Sequence, residues 1–281
     1  MRPVRPWKNL AFNQVPDVEN RIHSDEGARR YGFKGALVPG VTVSAYLMHP
    51  GAEAWEKDFA ERGAASVKVE HPLYDNRPFS VTVGDAENAS FENAYRATLI
   101  DENDTACANG TVWLADRLPD PPAMRGDPLW TDQDRQAPCS REEMERLRET
   151  GLRAVRFPFV GHSGMASYLR DPEEMAGPFR PSDVGYANPA FMLGLTNWAL
   201  AINVYLDAWL HLQTDHQYYA PVLPGAELIA ESRITDLFNK KGHEFVDLDV
   251  NVFFEDGSAA MSARLRAIYK LGATNRNRKT R

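Results

Sequence analysis

The chain has 281 residues, of which 43% are hydrophobic and 25% charged, and its formal net charge at pH 7 is −7. This length fits two domains of ordinary size or one large domain, and the composition is typical of a globular protein. The net negative charge argues against a nucleic-acid-binding protein, because such proteins usually carry a basic face.

The sequence shows no membrane or export signal. It contains no run of about 18 apolar residues, the length needed to cross a membrane, and residues 1–12 lack the apolar core of a signal peptide. Cys107 and Cys139 form no Cys-x-x-Cys pair, which predicts free thiols and no zinc site. We therefore expect a cytoplasmic protein with no membrane or nucleic-acid partner, no metal and no resident cofactor.

The first part of the chain predicts one strand, two helical segments and then a group of strands. Residues 7–15 resemble a strand, and Ser24 is predicted to cap a short helix that stops at Gly32. Pro39-Gly40 opens a helical segment that is interrupted at Pro50-Gly51 and resumes as far as Arg62. Strands are then predicted at residues 66–71, 79–83, 91–100 and 106–115, with a hairpin turn at 101–104.

The second part repeats this order after a segment rich in proline and aspartate. Ser140 is predicted to cap a helix, and the apolar run 190–212 is the strongest helix candidate in the chain. Strands are predicted at residues 227–237, 244–254 and 259–271, with a hairpin turn at 255–258. The two halves are offset by about 150 positions, so the pattern predicts a tandem duplication of one α+β unit.

Each unit is predicted to be a long helix wrapped by an antiparallel sheet. The predicted organisation is a first unit at 1–116, a linker at 117–139, a second unit at 140–272 and a basic, frayed tail at 273–281.

A short motif near the N-terminus carries a family resemblance. Asn20-Arg21-Ile22-His23 precedes the predicted short helix, and Gly40 opens the long one. This arrangement resembles the MaoC-like dehydratases, which include the R-specific 2-enoyl-CoA hydratases and have the double hotdog fold. In that family an Asn-Pro-Leu-His stretch, a short helix, a Phe-Gly turn and a His-Gly pair follow one another. Asn20, Ile22, His23 and Gly40 match that pattern, and residues 220–225 resemble the family's Pro-Val-x-x-Gly-Asp strand start.

The chain departs from the family at the catalytic aspartate, because that position is Val18. Asp17 and Glu19 flank it, but a shift of one residue in an extended backbone turns a side chain to the opposite face. The second half contains no Asn-x-x-His motif, so the site is expected mainly in the first unit.

The resemblance implies a hydro-lyase that hydrates a 2-enoyl-CoA or dehydrates a 3-hydroxyacyl-CoA. His23 would be the acid–base group, because its ordinary pKa is nearest neutrality, and the backbone amide near Gly40 would hold the thioester oxygen. Asn20 and Val38 would complete the substrate-binding residues. Glu19 is the first candidate for the second carboxylate and Asp17 the next. The substrate would be presented by CoA or an acyl carrier protein, to a monomer or a homodimer.

Two other functions stay open at this point. A hotdog thioesterase would need a carboxylate near the central helix, and Glu53 and Glu56 lie late in that segment, beyond Pro50. A non-catalytic acyl-CoA-binding protein would explain the valine at position 18. Each motif residue also has a structural interpretation, as a loop histidine, a turn former or a solvated carboxylate.

Four further histidines have no metal-ligand spacing, and we interpret them as structural or exposed. They are His162, His211, His216 and His243.

Overall fold

The computed structural model describes residues 2–86, 91–161 and 165–272. His162 and the predicted tail at 273–281 lie outside the described residues. In the described part of the chain, no helix is both long enough and apolar enough to span a membrane.

The helices and strands form two similar series along the chain. The helices are α1 (Asp25–Arg30), α2 (Gly40–Trp55), α3 (Lys57–Arg62), α4 (Arg141–Thr150) and α5 (Pro189–Ala201). The strands of the first series are β1 (Trp7–Leu10), β2 (Gly63–Val69), β3 (Pro78–Asp85), β4 (Ala94–Asp101) and β5 (Ala106–Leu114). They are followed by β6 (Ala137–Pro138), β7 (Val155–Pro158), β8 (Val204–Tyr205), β9 (Leu210–Tyr218), β10 (Glu227–Lys240), β11 (His243–Phe254) and β12 (Ala259–Lys270).

One large antiparallel sheet holds the molecule together. Its strand order is β1-β3-β4-β5-β2-β9-β12-β11-β10-β7, so the second five strands repeat the first five in reverse. The two series meet where β2 pairs with β9, for example at Ala65 opposite His216. The long helices α2 and α5 pack against each other and against this sheet. The fold is therefore α+β, with a helix wrapped by strands in each half.

Helix α2 is the centre of the first half. All but two of its sixteen residues are buried, as expected for a helix that is apolar on every side. The sequence predicted an interruption at Pro50-Gly51, and this was wrong, because the helix continues through Pro50. The break comes at Glu56, which has a positive φ of 50°.

Two side chains explain why α2 tolerates Pro50. A proline lacks the N–H that would bond to the carbonyl four residues earlier. That carbonyl, of Tyr46, instead accepts from the indole N–H of Trp7 at 3.1 Å. The Tyr95 hydroxyl then bridges the next pair, accepting from the Gly51 N–H at 3.0 Å and donating to the Leu47 carbonyl at 2.9 Å.

The predicted long helix over 190–212 was also partly wrong. Helix α5 ends at Ala201, and residues 210–212 begin the central strand β9. Asn203 ends the helix, because its carboxamide donates to the Ala199 carbonyl at 2.8 Å and to the Arg153 carbonyl at 3.0 Å. Of the aromatic residues Trp198, Tyr205 and Trp209 in this run, only Trp198 lies on the helix; Tyr205 lies on β8 and Trp209 just before β9.

The segment between the two series is mostly irregular but firmly attached to the sheet. Glu231 on β10 is 1% exposed. Its carboxylate accepts backbone N–H groups from Arg125, Gly126 and Asp127 at 2.8, 2.6 and 2.9 Å. We call this proline-rich segment, residues 117–139, the strap. Its residues 125–127 lie on the outer face of β10.

Candidate active site

His23 lies at the end of a 3₁₀ turn, Arg21–His23, directly before α1. The Ser24 hydroxyl caps α1 by accepting from the Gly27 N–H at 3.2 Å, as the sequence predicted. Gly27 is needed for this packing, because a Cβ there would lie 2.1 Å from the Arg21 carbonyl oxygen. The cap and the glycine together hold the turn that carries the imidazole.

The tautomer of His23 follows from its hydrogen bond. Nδ1 lies 2.8 Å from the Leu37 carbonyl oxygen, which can only accept, so Nδ1 carries the proton. In the neutral ring the lone pair is then on Nε2. Burial lowers the pKa of His23 from 6.5, and the bond to Leu37 offsets this only in part. The ring is therefore neutral at pH 7 and can accept a proton at Nε2.

Asn20 joins the His23 turn to the second half of the chain. Its Nδ2 donates to the Trp209 carbonyl at 3.0 Å, and its Oδ1 accepts from the Trp209 N–H at 3.4 Å. The same Nδ2 lies 3.4 Å from His23 Nε2. Asn20 thus links the loop beside the imidazole to the backbone at Trp209.

The N-terminus of α2 lies on the same cavity as His23. Thr42 and Val43 donate their N–H groups to the Pro39 carbonyl, whereas those of Gly40 and Val41 have no acceptor among the described residues. A Cβ on Gly40 would lie 2.6 Å from the His211 carbonyl oxygen, so glycine permits this close packing. Val38 is buried and donates its N–H to the Leu73 carbonyl at 2.9 Å.

His23 lines three cavities. One, of about 760 Å³, is lined also by Asp17, Asp25 and Asp75 and does not include Gly40. The other two meet at His23. The first has a volume of about 440 Å³ and is lined by His23, Val38 and Gly40, with Lys68, Glu70 and His71 as its charged or titratable neighbours. The second, of about 390 Å³, is mostly apolar. Its lining includes Val41, Met165, Gly194, Trp198 and Leu206. Both cavities share Asn20, His23, Pro39, Asn197 and Trp209.

The carboxylate candidates lie at the edge of the second cavity. Asp17, Val18 and Glu19 all line it, and all three are exposed. Neither carboxylate forms a hydrogen bond with another described residue. The structure therefore brings Glu19 and Asp17 to the cavity that contains His23, but it does not bury either beside the imidazole.

Sequence reasoning missed a polar group from the second half. His211 is 6% exposed and lines the first cavity, and its Nδ1 lies 2.8 Å from the Oδ1 of Asn197. The Thr214 hydroxyl lies against the other ring nitrogen of His211. Because the sequence placed His211 at a helix end, the pairing of a strand histidine with a helix asparagine had no visible signal.

The remaining histidines are distributed as follows. His216 is buried, and neither of its ring nitrogens has a hydrogen-bond partner among the described residues, whereas His243 is partly exposed and accepts the Gly272 N–H at 3.0 Å. His49, which the sequence did not single out, is buried against Trp7 and bonded to the Tyr168 hydroxyl at 2.9 Å. Among the described residues, no group of three or more potential ligands is arranged to hold a metal ion.

Comparison with known proteins identifies the architecture. No family model and no curated protein sequence matches the chain. Among solved structures, it is similar to a conserved hypothetical protein from Mycobacterium tuberculosis described as having a double hotdog fold. Identity is 14%, the match covers 95% of this chain and 96% of the other, and the TM-score is 0.60.

Two further solved structures are similar over almost their whole length. One is a candidate MaoC-domain dehydratase from Chloroflexus aurantiacus, with 11% identity, 97% of each chain covered and a TM-score of 0.56. The other is a candidate thioesterase from Novosphingobium aromaticivorans, with 13% identity, coverage of 96% of this chain and 98% of that one, and a TM-score of 0.53. The predicted double hotdog fold is therefore confirmed, and its neighbours include MaoC-like dehydratases.

Proposed function

We propose that the chain is a hydro-lyase that acts on an acyl thioester, hydrating a 2-enoyl-CoA or dehydrating the corresponding 3-hydroxyacyl-CoA. The observation that carries this proposal is the common cavity. The first cavity is lined by a neutral imidazole with its lone pair on Nε2 and by the N-terminus of α2, whose first two N–H groups have no acceptor among the described residues.

Each part of this arrangement suits one step of hydration. His23 Nε2 takes a proton from water as the water oxygen bonds to C3 of the substrate. The π-electron pair moves toward C2 and the thioester oxygen, where the Gly40 N–H and the α2 dipole stabilise the enolate-like charge. The imidazolium then returns this proton to C2, directly or through the Glu19 carboxylate, so that His23 is neutral again and the double bond has gained one water molecule.

The valine at position 18 favours a second candidate function. No described carboxylate is held against His23, so a second acid–base group is not preassembled. Loss of one such group typically costs about 10² to 10⁴ in rate. A non-catalytic acyl-CoA-binding protein with the same cavity is therefore the alternative. The thioesterase alternative is less favoured, since neither Glu53 nor Glu56 lines the two cavities.

One mixture separates these functions. Purified chain and crotonyl-CoA are followed for loss of the conjugated-thioester absorbance and, in parallel, for release of free thiol. Hydration gives only the first signal, and a thioesterase gives the second. Binding measured by calorimetry with neither signal supports the non-catalytic protein.

The site assignment needs variants of its own. We expect His23→Ala to lower the hydration rate by at least about 10²-fold, and Glu19→Gln to have a larger effect than Asp17→Asn. If His23→Ala retains the full rate, the imidazole is not the acid–base group and the proposed site is wrong.

A further inference from the structure

Asn197 lies where the two cavities join, on the opposite unit from His23. It is on α5 and lines both cavities. Its Oδ1 is engaged by His211, whereas its Nδ2 has no hydrogen-bond partner among the described residues. A half-buried carboxamide thus presents two N–H donors to the cavity.

The orientation of this carboxamide is fixed by the histidine behind it. The ring of His211 stays neutral because burial lowers its pKa to about 3. Its Nδ1–H donates to Asn197 Oδ1 at 2.8 Å, and its Nε2 accepts from the Thr214 hydroxyl. With Oδ1 turned toward His211, Nδ2 is left on the cavity side.

His211 also ties Asn197 to the N-terminus of α2. The His211 carbonyl and Cβ lie so close to Gly40 that a Cβ there would meet them at 2.6 and 2.9 Å. The Asn197 carboxamide is therefore attached to the residue that packs on Gly40. Gly40 from the first unit and Asn197 from the second therefore both line the first cavity.

We infer that Asn197 is a substrate-binding residue, whose carboxamide N–H donates to the carbonyl oxygen of the acyl thioester alongside the Gly40 N–H. This inference rests on the proposed function, because it names a second donor for that same substrate. It assigns the second unit a direct polar contact with the acyl carbonyl, although that unit lacks the Asn-x-x-His motif.

The substitution Asn197→Asp isolates the donor. Aspartate keeps an oxygen to accept from His211, so the packing partner is retained, but the N–H donors are replaced by an oxygen that repels a carbonyl oxygen. Asn239→Asp makes the same chemical change on β10, away from both cavities. Circular dichroism and thermal melting check that both variants fold. If Asn197→Asp does not fold, Asn197→Ala is the second variant that lacks the N–H donors.

The probes are two stable CoA compounds, each made with four-carbon and eight-carbon chains. One is the ketone analogue in which a methylene replaces the thioester sulfur, and the other is the S-alkyl thioether, which has no carbonyl. Calorimetry gives Kd for each with wild type and variants. We expect Asn197→Asp to raise Kd for the ketone about tenfold or more and to change Kd for the thioether less than about twofold. Asn239→Asp should leave both values unchanged.

Two other results have distinct meanings. If wild type binds the ketone and Asn197→Asp binds it equally well, the inference about Asn197 is wrong while the proposed function stands. If wild type binds neither compound at either chain length, acyl-CoA binding itself is contradicted, and the role of Asn197 falls with it.

Discussion

The pKa of the His23 ring determines how the rate of hydration depends on pH. The base must be the neutral ring, and burial lowers the pKa of His23 below 6.5. We therefore expect kcat/KM for crotonyl-CoA hydration to hold as pH falls through 6.5 and to decline only below it. A pH–rate profile measures this. His243→Gln, outside both cavities, should leave the profile unchanged, and an acidic limb with an apparent pKa above 7 would exclude His23 as the base.

His216 affects stability rather than activity. Its ring is buried with both nitrogens unpartnered, and burial lowers its pKa to about 3. The unfolded chain binds a proton at this residue below pH 6.5 and the folded chain does not. Stability is therefore lost as pH falls from 6.5 toward 3, by about 1.4 kcal/mol per pH unit for this one group.

The substitution His216→Leu tests that account. We expect the free energy of unfolding at pH 7 to be unchanged or higher, because an unsatisfied polar group leaves the core. Between pH 6 and 4 its dependence on pH should be shallower by about one proton. Urea titrations at several pH values measure both. In His211→Leu the Asn197 and Thr214 groups lose their partner, so that variant should be destabilised at pH 7; equal behaviour of the two variants would contradict the assignment.

Helix α2 depends on two side chains that compensate for its proline. Tyr95 is 2% exposed, and its hydroxyl bridges the Gly51 N–H and the Leu47 carbonyl. We expect Tyr95→Phe to lower the free energy of unfolding by about 1–3 kcal/mol, because both backbone groups lose that partner in a buried site. Denaturant unfolding measures the change. Tyr219→Phe removes a half-buried hydroxyl whose one hydrogen-bond contact within the described part of the chain is with the Ser262 hydroxyl at 3.3 Å, and it should be nearly neutral.

The two misassigned helix boundaries share one physical cause. Local rules treat Pro50 as a breaker, but Trp7 and Tyr95, distant in sequence, satisfy the backbone that it disturbs. The run 190–212 contains no glycine or proline after Ala201, and the side chain of Asn203 ends the helix instead. Ser24 and Ser140 were predictable as caps because their partners, Gly27 and Glu143, lie three residues away.

Only part of the candidate site could be predicted from the sequence. His23 and Gly40 are in one short motif, and the structure places both on one cavity. Asn197 and His211 were not predictable, because β9 has little strand-like alternation and its pairing with β2 is a long-range contact. The exposure of Asp17 and Glu19 likewise depends on how the loop folds over the second cavity.

At the scale of the whole molecule, one buried carboxylate holds residues 125–127 of the strap between the two series. Glu231 accepts three backbone N–H groups, and glutamine would direct a donor at one of them. We expect Glu231→Gln to lower the free energy of unfolding by about 1–3 kcal/mol and to expose residues 125–127 to proteolysis. Denaturant unfolding and limited proteolysis measure these effects.

A matched control is available in the turn that follows β11. Glu255 is an exposed carboxylate paired with Arg156, and Glu255→Gln should be nearly neutral. If Glu231→Gln is as stable and as protease-resistant as Glu255→Gln, the carboxylate does not hold the strap.

The two halves that meet at the β2–β9 pairing belong to a single polypeptide. Because they are covalently linked, they are present in equal number at any dilution. An assembly of two identical units would repeat every functional group by symmetry. Here the imidazole motif occurs once, and the corresponding surface of the other unit is free to diverge. The expected stoichiometry is therefore one acyl thioester per chain.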